Sequence, residues 1–531
     1  MKLSYISIII GLAVHSAFAS QDLKSRRTRS LLINPDAQPD LPRPQSARLS
    51  AASASAANGL NLDDIQGDIL IGMKKNKELF FFFGIRNATT FKSRLSSDIS
   101  PLVTTTNQLL SVSTQPITAV NIAFSQSGLN TLGVTDDLGD FDFSNGQFAD
   151  ANGLGDPGTG NWVNGFSGTN VHGVFLLASD TVQNIDDELA NIQSILGDSI
   201  SEIHRLDGAA RPGNQEGHEH FGYMDGISQP GVDGFTQNLL PGQALIPAGS
   251  FILGADGDFS TRPDWATGGS FLAFRQMQQK VPEFNRYVRD HALNVPGLSQ
   301  SENTDLFGAR LIGRWKSGAP IDLAPLHDDL VLANDNTRNN DFTFDHPEIS
   351  GFDIASNQTF CPFRYLQFLV IYYTTDLPSS VLNSAHIRKT RPRLDFGVEE
   401  TAHHIMRAGI PYGPEVTEDE HTANKSSTDP RLERGLAFVA YQSNIGNGFK
   451  FMQSLWVNNA NFFFGKPTPP GVDPIIGREP GTPADAPRDV SGTNPMNPSE
   501  IFTLDIDFVV SRGGEYFFSP PISALSGVLA A

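Results

Sequence analysis

Residues 171–206 read VHGVFLLASDTVQNIDDELANIQSILGDSISEIHRL. The apolar run Val171–Ala178 predicts a buried strand, and Ser199–Leu206 predicts a second one. Between them we predict a helix over Thr181–Leu196, because apolar residues recur on one face at helical spacing. These residues are Val182, Ile185, Leu189, Ile192 and Leu196.

The same order of elements occurs earlier in the chain. Glu78–Ile85 (ELFFFFGI) predicts a strand, a helical stretch follows from Ala88 to about Leu95, and Ile117–Phe124 predicts another strand. Strand–helix–strand, repeated once, is the ferredoxin-like order, in which helices cover one face of an antiparallel sheet. We therefore expect residues 61–235 to form an N-terminal ferredoxin-like module.

The second half repeats this pattern less clearly. Strands are predicted at Ser270–Gln276 and Leu436–Ser443, and helices at Pro282–Ala292 and Gly448–Trp456. Residues 236–531 are thus expected to form a second, C-terminal ferredoxin-like module that shares one core with the first. The pattern alone also permits an unrelated α+β enzyme with large loops.

The N-terminus has the features of an export signal. Residues 1–19 combine Lys2, an apolar stretch over Ile6–Val14 and a small residue at Ala19, which is typical of a cleaved signal peptide. Residues 20–60, rich in Ser, Ala, Pro and Arg, resemble a disordered propeptide. We therefore expect a secreted, extracellular glycoprotein, with glycosylation sequons at Asn87, Asn357 and Asn424.

Composition narrows the classes of partner. The 531 residues carry 38 Lys and Arg against 58 Asp and Glu, a net charge of −20. Such an acidic chain without a basic run argues against nucleic acid and anionic membranes as partners. The one cysteine, Cys361, cannot form an internal disulfide.

Three stretches are dense in groups that do chemistry: residues 218–228 (HEHFGYMDGIS), 385–393 (AHIRKTRPR) and 404–413 (HIMRAGIPYG). Each also has a structural explanation. Asp225 can be a turn aspartate, His386 a buried histidine followed by a solvated basic face, and Arg407 an ordinary ion-pair partner.

The segment Gly222-Tyr-Met-Asp-Gly226 resembles the GxxDG signature of dye-decolourising peroxidases, haem enzymes best known from fungi. Further segments resemble that family in the same order, among them Gly313-Arg-Trp-Lys-Ser-Gly-Ala-Pro320, His386-Ile-Arg-Lys-Thr-Arg-Pro-Arg393 and Ser511-Arg-Gly-Gly-Glu-Tyr-Phe517. The resemblance implies two ferredoxin-like modules that enclose a pocket for one haem b per chain. It also implies that hydrogen peroxide oxidises dyes, phenols and other aromatic substrates through a ferryl intermediate.

The resemblance also implies roles for individual residues. His386 matches the proximal iron ligand, and Asp473 matches the carboxylate that accepts its other ring N–H; a turn before Pro474 explains Asp473 as well. Asp225 and Arg407 match the distal catalytic pair. An aspartate stays ionised at acidities that protonate histidine, so we expect an acidic pH optimum.

Further positions match family residues around the cofactor. Leu436 and Phe438 match apolar residues over the distal haem face, although the packing of a core strand explains them equally well. Arg388 is a candidate partner for a haem propionate. Trp456 and Tyr412 match surface positions that pass electrons from bulky substrates in some members.

The chain departs from the family between Phe363 and Ser384. The family runs Cys-Pro-x-x-Ala-His without a break, whereas here residues 364–383 intervene beside the proposed ligand. Arg364-Tyr365 can be encoded AGG-TAT and Asn383-Ser384 AAC-AGC, which supply splice-site dinucleotides. We hypothesise a retained intron, which the transcript sequence would test.

Two other functions remain open on the sequence. His218 and His220, with Asp225 or His204, could bind Mn or Fe in a non-haem metal enzyme. Alternatively, the protein could bind haem without turnover. The sequence does not decide the physiological substrate, Mn(II) oxidation or the oligomeric state.

Overall fold

The computed structural model describes residues 59–73, 76–110, 112–168, 170–344, 384–396, 400–464 and 468–531. Its strands are β1 (Lys77–Ile85), β2 (Ala119–Phe124), β3 (Gly173–Ser179), β4 (Ile200–Ala209), β5 (Gly231–Val232), β6 (Leu245–Ile246), β7 (Ser270–Gln279), β8 (Met406–Arg407), β9 (Ile410–Tyr412), β10 (Gly435–Gln442), β11 (Arg488–Ser491), β12 (Ile501–Leu504) and β13 (Val509–Ser519).

The α-helices are α1 (Gly67–Leu70), α2 (Ala88–Arg94), α3 (Thr106–Leu109), α4 (Gln126–Thr131), α5 (Phe141–Asn145), α6 (Gln147–Asp150), α7 (Val182–Leu196), α8 (Val281–Asp290), α9 (Gln300–Ile312), α10 (Leu330–Ala333), α11 (His386–Thr390), α12 (Glu418–Ala423), α13 (Phe449–Phe451) and α14 (Ile522–Ser526). Two π-helical turns, Leu95–Ile99 and Met452–Val457, continue α2 and α13.

Nine strands of the described residues form one antiparallel sheet, which organises the fold. The strands of the first half lie in the order β4-β1-β3-β2, and those of the second half in the order β13-β7-β10-β9. Both are the ferredoxin-like order, because the outer strands are the second and fourth along the chain. Pairs β2–β13 and β4–β9 join the halves into a closed barrel. The predicted α+β fold with two ferredoxin-like modules is confirmed.

The strand β1 shows why its sequence is apolar without a break. Side chains alternate along a strand, so Phe80 and Phe82 point into the barrel, whereas Leu79, Phe81 and Phe83 point outward under the helices. Both faces are therefore buried. Each buried phenylalanine contributes roughly 1.5–3 kcal/mol of transfer free energy.

Several predicted elements differ in the structure. Val182 is 54% exposed, because it lies in the first turn of α7 and away from the face that packs on the barrel. The predicted helix Gly448–Trp456 is α-helical only in α13 and continues as a π-helix. Strand β13 was not predicted, because Arg512-Gly-Gly-Glu515 interrupts its apolar pattern; a register shift between Ser511 and Gly514 accommodates this interruption.

The helix α9 was also not predicted. Its start has a sequence signal, because Ser299 and Glu302 form a capping box. Gly313 ends it at φ 103°, and a Cβ there would lie 2.3 Å from Ile387 Cγ1. This close approach fixes α9 against α11, which begins at His386.

The outer face of the second module positions the candidate site. On β7 the residues Phe274 and Leu272 point into the barrel, so Arg275, Met277 and Gln279 point outward. The space between this face and the covering helices is the cavity described below.

Some predictions fall outside the described residues: the signal peptide, nearly all of the propeptide, Cys361, the sequon at Asn357 and the insertion 364–383. Among the helices of the described part, none is long and apolar enough to cross a membrane.

Candidate functional site

A cavity of about 320 Å³ lies between the outer face of the second module's sheet and the helices that cover it. Strands β7, β8 and β10 form one wall, while α11 and the π-helix Met452–Val457 form another. The loop of residues 219–230 lines it as well. Its volume lies within the range of about 300–1,000 Å³ that is typical of small-molecule sites.

His386 stands on the helical wall, as the first residue of α11. Its Nδ1 lies 2.8 Å from Oδ2 of Asp473, and a neutral imidazole donates its N–H in that bond. The described residues offer no hydrogen-bond partner to Nε2. The imidazole is therefore oriented through one nitrogen, and the other is left to bind a ligand in the cavity.

Asp473 is fully buried and divides its two oxygens between two tasks. Oδ1 accepts the backbone N–H groups of Ile475 and Ile476 at 2.8 and 2.9 Å, while Oδ2 accepts from His386. Burial alone would raise the pKa of Asp473, but His386 and these N–H groups lower it below its usual value. The turn aspartate and the histidine partner are thus the same residue.

The pKa of His386 moves in the opposite direction. Burial alone would lower it, but the charge and the hydrogen bond of Asp473 raise it above the usual value for histidine. An imidazole that donates to a carboxylate is electron-rich, which suits a metal ligand.

Asp225 and Arg407 form a second pair in the cavity. Arg407, on strand β8, donates from Nη1 to Oδ1 of Asp225 at 2.8 Å and from Nη2 to the Ser228 carbonyl at 3.1 Å. The backbone N–H of Gly226 also donates to Asp225 Oδ1. In the part of the chain that the structure describes, Asp225 Oδ2 accepts no hydrogen bond. One oxygen is held, and the other is available for a proton.

This pairing sets the ionisation of Asp225. Burial would raise its pKa, but the charge and hydrogen bond of Arg407, with smaller effects from Gly226 and His386, lower it below the usual value for aspartate. Asp225 is therefore a carboxylate that stays ionised in acid.

Leu436 and Phe438 lie on the cavity side of β10. Their neighbours Ala437 and Val439 point into the barrel core, so the strand alternation turns Leu436 and Phe438 outward, where both line the cavity. Phe438 packs against Phe449, with ring centroids 5.6 Å apart.

The prediction that Arg388 meets a cofactor carboxylate is wrong. Its guanidinium is buried and pairs with Asp395 through Nε, at 2.7 Å, and through Nη2, and Arg388 does not line the cavity. Residues 386–390 are helical, so Arg388 lies about 200° around α11 from His386 and points away from the cavity.

Arg314, and not Arg388, offers a guanidinium in the cavity wall that could pair with a cofactor carboxylate. Its buried guanidinium lines the cavity, and among the described residues it donates to neutral acceptors alone: the carbonyls of Gly318 and Asn339 and the side chain of Asn340. Burial and the charge of Arg407 lower its pKa to about 9. The sequence carried a weak signal, an arginine that follows the apolar end of a helix.

The residues that line the cavity suit a haem, the cofactor that the resemblance implies. His386 offers an oriented nitrogen from the helical wall, and Arg407 holds Asp225 from the sheet side. Arg314 offers a buried positive charge that has no carboxylate partner among the described residues, as a propionate requires. The donor set fits the cofactor.

Trp456 and Tyr412 are not at the surface, and that part of the prediction is wrong. Each is 4% exposed. Trp456 stacks on Phe462 at 5.4 Å, within an aromatic cluster that the π-helix forms. Tyr412 points into the barrel, and its hydroxyl donates to Oε1 of Glu433 at 2.9 Å. Whether electrons pass through either ring stays a prediction.

The histidines of the alternative metal site do not converge. A ring nitrogen of His220 lies 2.8 Å from the Tyr412 carbonyl, and burial, with the charge of Arg211, lowers its pKa to about 4. His204 pairs with Gln276 inside the barrel, and His218 contacts the Glu216 carbonyl. Within the described ranges, no group of three or more His, Cys, Asp or Glu is arranged to hold a metal ion.

Comparison with known proteins agrees with this geometry. Residues 64–212 match the family model of the DyP dimeric alpha+beta barrel domain, and residues 232–462 match that of the Dyp-type peroxidase C-terminal domain. Peroxidase 2 of Mycetinis scorodonius is 59% identical over 542 residues, which cover 100% of both chains. A dye-decolorizing peroxidase of Auricularia auricula-judae is 50% identical over 513 residues, covering 95% of this chain and 92% of that one.

A solved structure of a decolorizing peroxidase from Auricularia auricula-judae superimposes with a TM-score of 0.79 at 51% identity, covering 89% of this chain and 100% of that chain. The family models together match well over half of the chain, and the relatives match nearly all of it. The chain therefore belongs to the dye-decolorizing peroxidases, a family of haem enzymes.

Proposed function

We propose that the protein is a secreted peroxidase with one haem b in this cavity, which uses hydrogen peroxide to oxidise dyes, phenols and other aromatic compounds, with an acidic optimum. The observation that supports the proposal is that one cavity is lined by two hydrogen-bonded pairs, each made of a carboxylate and a basic side chain. His386 is oriented by Asp473 on the helical wall, and Asp225 is held by Arg407 on the sheet side.

The haem, when bound, supplies an iron centre that takes up the oxidising equivalents of peroxide. The chain supplies the proton chemistry. Peroxide must lose a proton from one oxygen and gain one on the other, and Asp225 Oδ2, which accepts no other hydrogen bond in the described structure, can take the proton and return it. Arg407 is a permanent cation that fixes Oδ1 and stabilises developing negative charge.

Leu436 and Phe438 limit what reaches this proton carrier. Their apolar side chains line the wall next to Arg407, so they narrow the pocket beside Asp225 and favour small molecules such as peroxide. A dye larger than the cavity must therefore be oxidised from outside, through protein side chains.

Tyr412 and Trp456 are the proposed carriers of those electrons. A tyrosine that loses an electron also loses its phenolic proton, and Glu433 Oε1 lies 2.9 Å away to receive it. Glu433 is itself partly exposed, so the proton can continue to solvent. Among the described residues Trp456 has no such acceptor, but its aromatic cluster includes Phe396, which is 43% exposed.

Secretion is proposed from residues 1–19, and the acidic optimum from the lowered pKa of Asp225. A haem-binding protein without turnover is the competing function. It would show a haem absorption band but no bleaching of dyes by peroxide.

Asp225→Asn tests the proposal. The amide keeps the size of the carboxylate but cannot accept the proton, so we expect the second-order rate constant with peroxide to fall about 10²- to 10⁴-fold in rapid mixing. Asp258→Asn is the control, because Asp258 also forms an ion pair with an arginine, Arg262, but in a more deeply buried position away from the cavity. Full peroxide turnover by Asp225→Asn would contradict the proposal.

A further inference from the structure

Glu219 is a carboxylate in the cavity wall that the proposed proton transfer does not use. Its Oε1 accepts the backbone N–H of Tyr223 at 2.9 Å, and its Oε2 accepts that of Phe221 at 2.8 Å. Gln279, on strand β7, donates its side-chain N–H to the same Oε2. The carboxylate thus joins a loop to the sheet through three donors.

That loop carries Asp225. The Glu219 N–H donates to the Tyr223 carbonyl at 3.0 Å, and the Gly222 N–H donates to the Glu219 carbonyl at 2.9 Å. The Asp225 N–H donates to the Gly217 carbonyl at 2.9 Å. Residues 217–225 therefore form a closed turn, and the side chain of Glu219 fills its inside.

The closed turn also meets the sheet through Asp225, which pairs with Arg407 on β8, and through His220, which contacts the Tyr412 carbonyl on β9. Gln279 follows Met277 on the cavity face of β7, so its bond to Glu219 fixes the distance between the turn and this strand. Burial raises the pKa of Glu219, and the nearby Asp225 carboxylate raises it further. The two carboxylates are thus close enough to interact, although they share no hydrogen bond.

We propose that Glu219 is a positioning residue, which holds the turn of residues 217–225 against β7 so that the carboxylate of Asp225 meets peroxide at the correct distance. This inference rests on the proposed role of Asp225 as proton carrier. In the described structure Glu219 shares no hydrogen bond or ion pair with His386 or its partner Asp473, so we assign it no part in haem binding.

Glu219→Gln is the direct test on the haem-loaded enzyme. A glutamine has one acceptor oxygen, so at least one of the N–H groups of Phe221 and Tyr223 loses its partner and the turn shifts. A displacement of about 1 Å near the chemistry can cost about 100-fold, so we expect the rate constant with peroxide to fall about 10- to 100-fold. The KM for a small reducing substrate is expected to stay unchanged.

A double mutant distinguishes positioning from an independent effect. If Glu219 acts through Asp225, then Glu219→Gln in the Asp225→Asn background should lower the rate constant no further, within about two-fold. If the loss in rate constant of the double mutant equals the product of the two single losses, the inference is overturned. A rate constant of Glu219→Gln within two-fold of wild type would overturn it as well. Should Asp225→Asn itself keep full turnover, the proposed function fails first, and the inference fails with it.

Two further variants separate positioning from stability. Glu420→Gln removes a buried carboxylate that holds Arg434 and backbone N–H groups away from the cavity, so it should lower the melting temperature without slowing the reaction with peroxide. If Glu219→Gln does not fold, Gln279→Leu removes only the bond between Glu219 and strand β7. We expect Gln279→Leu to slow the reaction with peroxide less than Glu219→Gln does, and to have no effect in the Asp225→Asn background. A rate constant of Gln279→Leu equal to that of wild type would overturn the inference.

Discussion

The bond between His386 and Asp473 predicts how tightly the protein holds its haem. In Asp473→Asn the amide oxygen can still accept the N–H groups of Ile475 and Ile476, which leaves the NH₂ group facing His386 Nδ1. Two donors then face each other. The conflict is relieved when the imidazole proton moves to Nε2, the nitrogen that should bind iron.

The structure allows an estimate of the loss. A buried donor without its charged acceptor costs about 1–3 kcal/mol, which corresponds to an increase of about 5- to 150-fold in the Kd for haem. The assay is titration of the apoprotein with haem, followed by the transfer of bound haem to apomyoglobin. Asp258→Asn serves as the control for a buried aspartate outside the cavity. A Kd within two-fold of wild type for Asp473→Asn would refute the reasoning.

Three further outcomes are expected. The rate constant with peroxide should stay constant from neutral pH down to about pH 5, because the pKa of Asp225 lies below the usual aspartate value of about 3.9 and keeps the base ionised there; a fall that begins above pH 5 would contradict this. Tyr412→Phe or Trp456→Phe should lower turnover of a bulky dye at least about ten-fold while sparing a small phenol, and equal losses on both would argue against long-range electron transfer. Burial lowers the pKa of Lys389 to about 7, so the unfolded state binds more protons between pH 7 and about 10.5 and wild-type stability should rise with pH there. Denaturant titrations should lack this rise in Lys389→Met.

The sequence predicted the modules because their strands and the long helix α7 are strongly periodic. The hydrophobic pattern did not predict those strands that contain a local irregularity. In β13 the bulge near Gly514 breaks the alternation, and in β8 and β9 a two-residue interruption leaves segments too short to recognise. Such features depend on the neighbouring strand, which one sequence does not reveal.

The site could be predicted where a motif fixes the local geometry. Asp225 pairs with Arg407 and His386 pairs with Asp473 around one cavity, while their roles toward haem and peroxide stay predictions. Arg388 could not be placed correctly, because only the helical phase of α11 decides which basic side chain points away from the cavity.

Other residues of the site needed the three-dimensional structure. Arg314 and Glu219 received no role from the sequence, because their significance depends on partners far along the chain, such as Asn339 and Gln279. The burial of Tyr412 and Trp456 is likewise a property of the closed barrel and the aromatic cluster, and their residue types do not indicate it.

Ligation of the haem iron by His386 is the central claim, and His386→Ala with added imidazole tests it most directly. We expect the variant to bind haem with an altered axial-ligand signature in magnetic circular dichroism, and we expect imidazole to restore the wild-type signature by entering the space that the side chain leaves. An unchanged signature without imidazole would mean that another residue binds the iron.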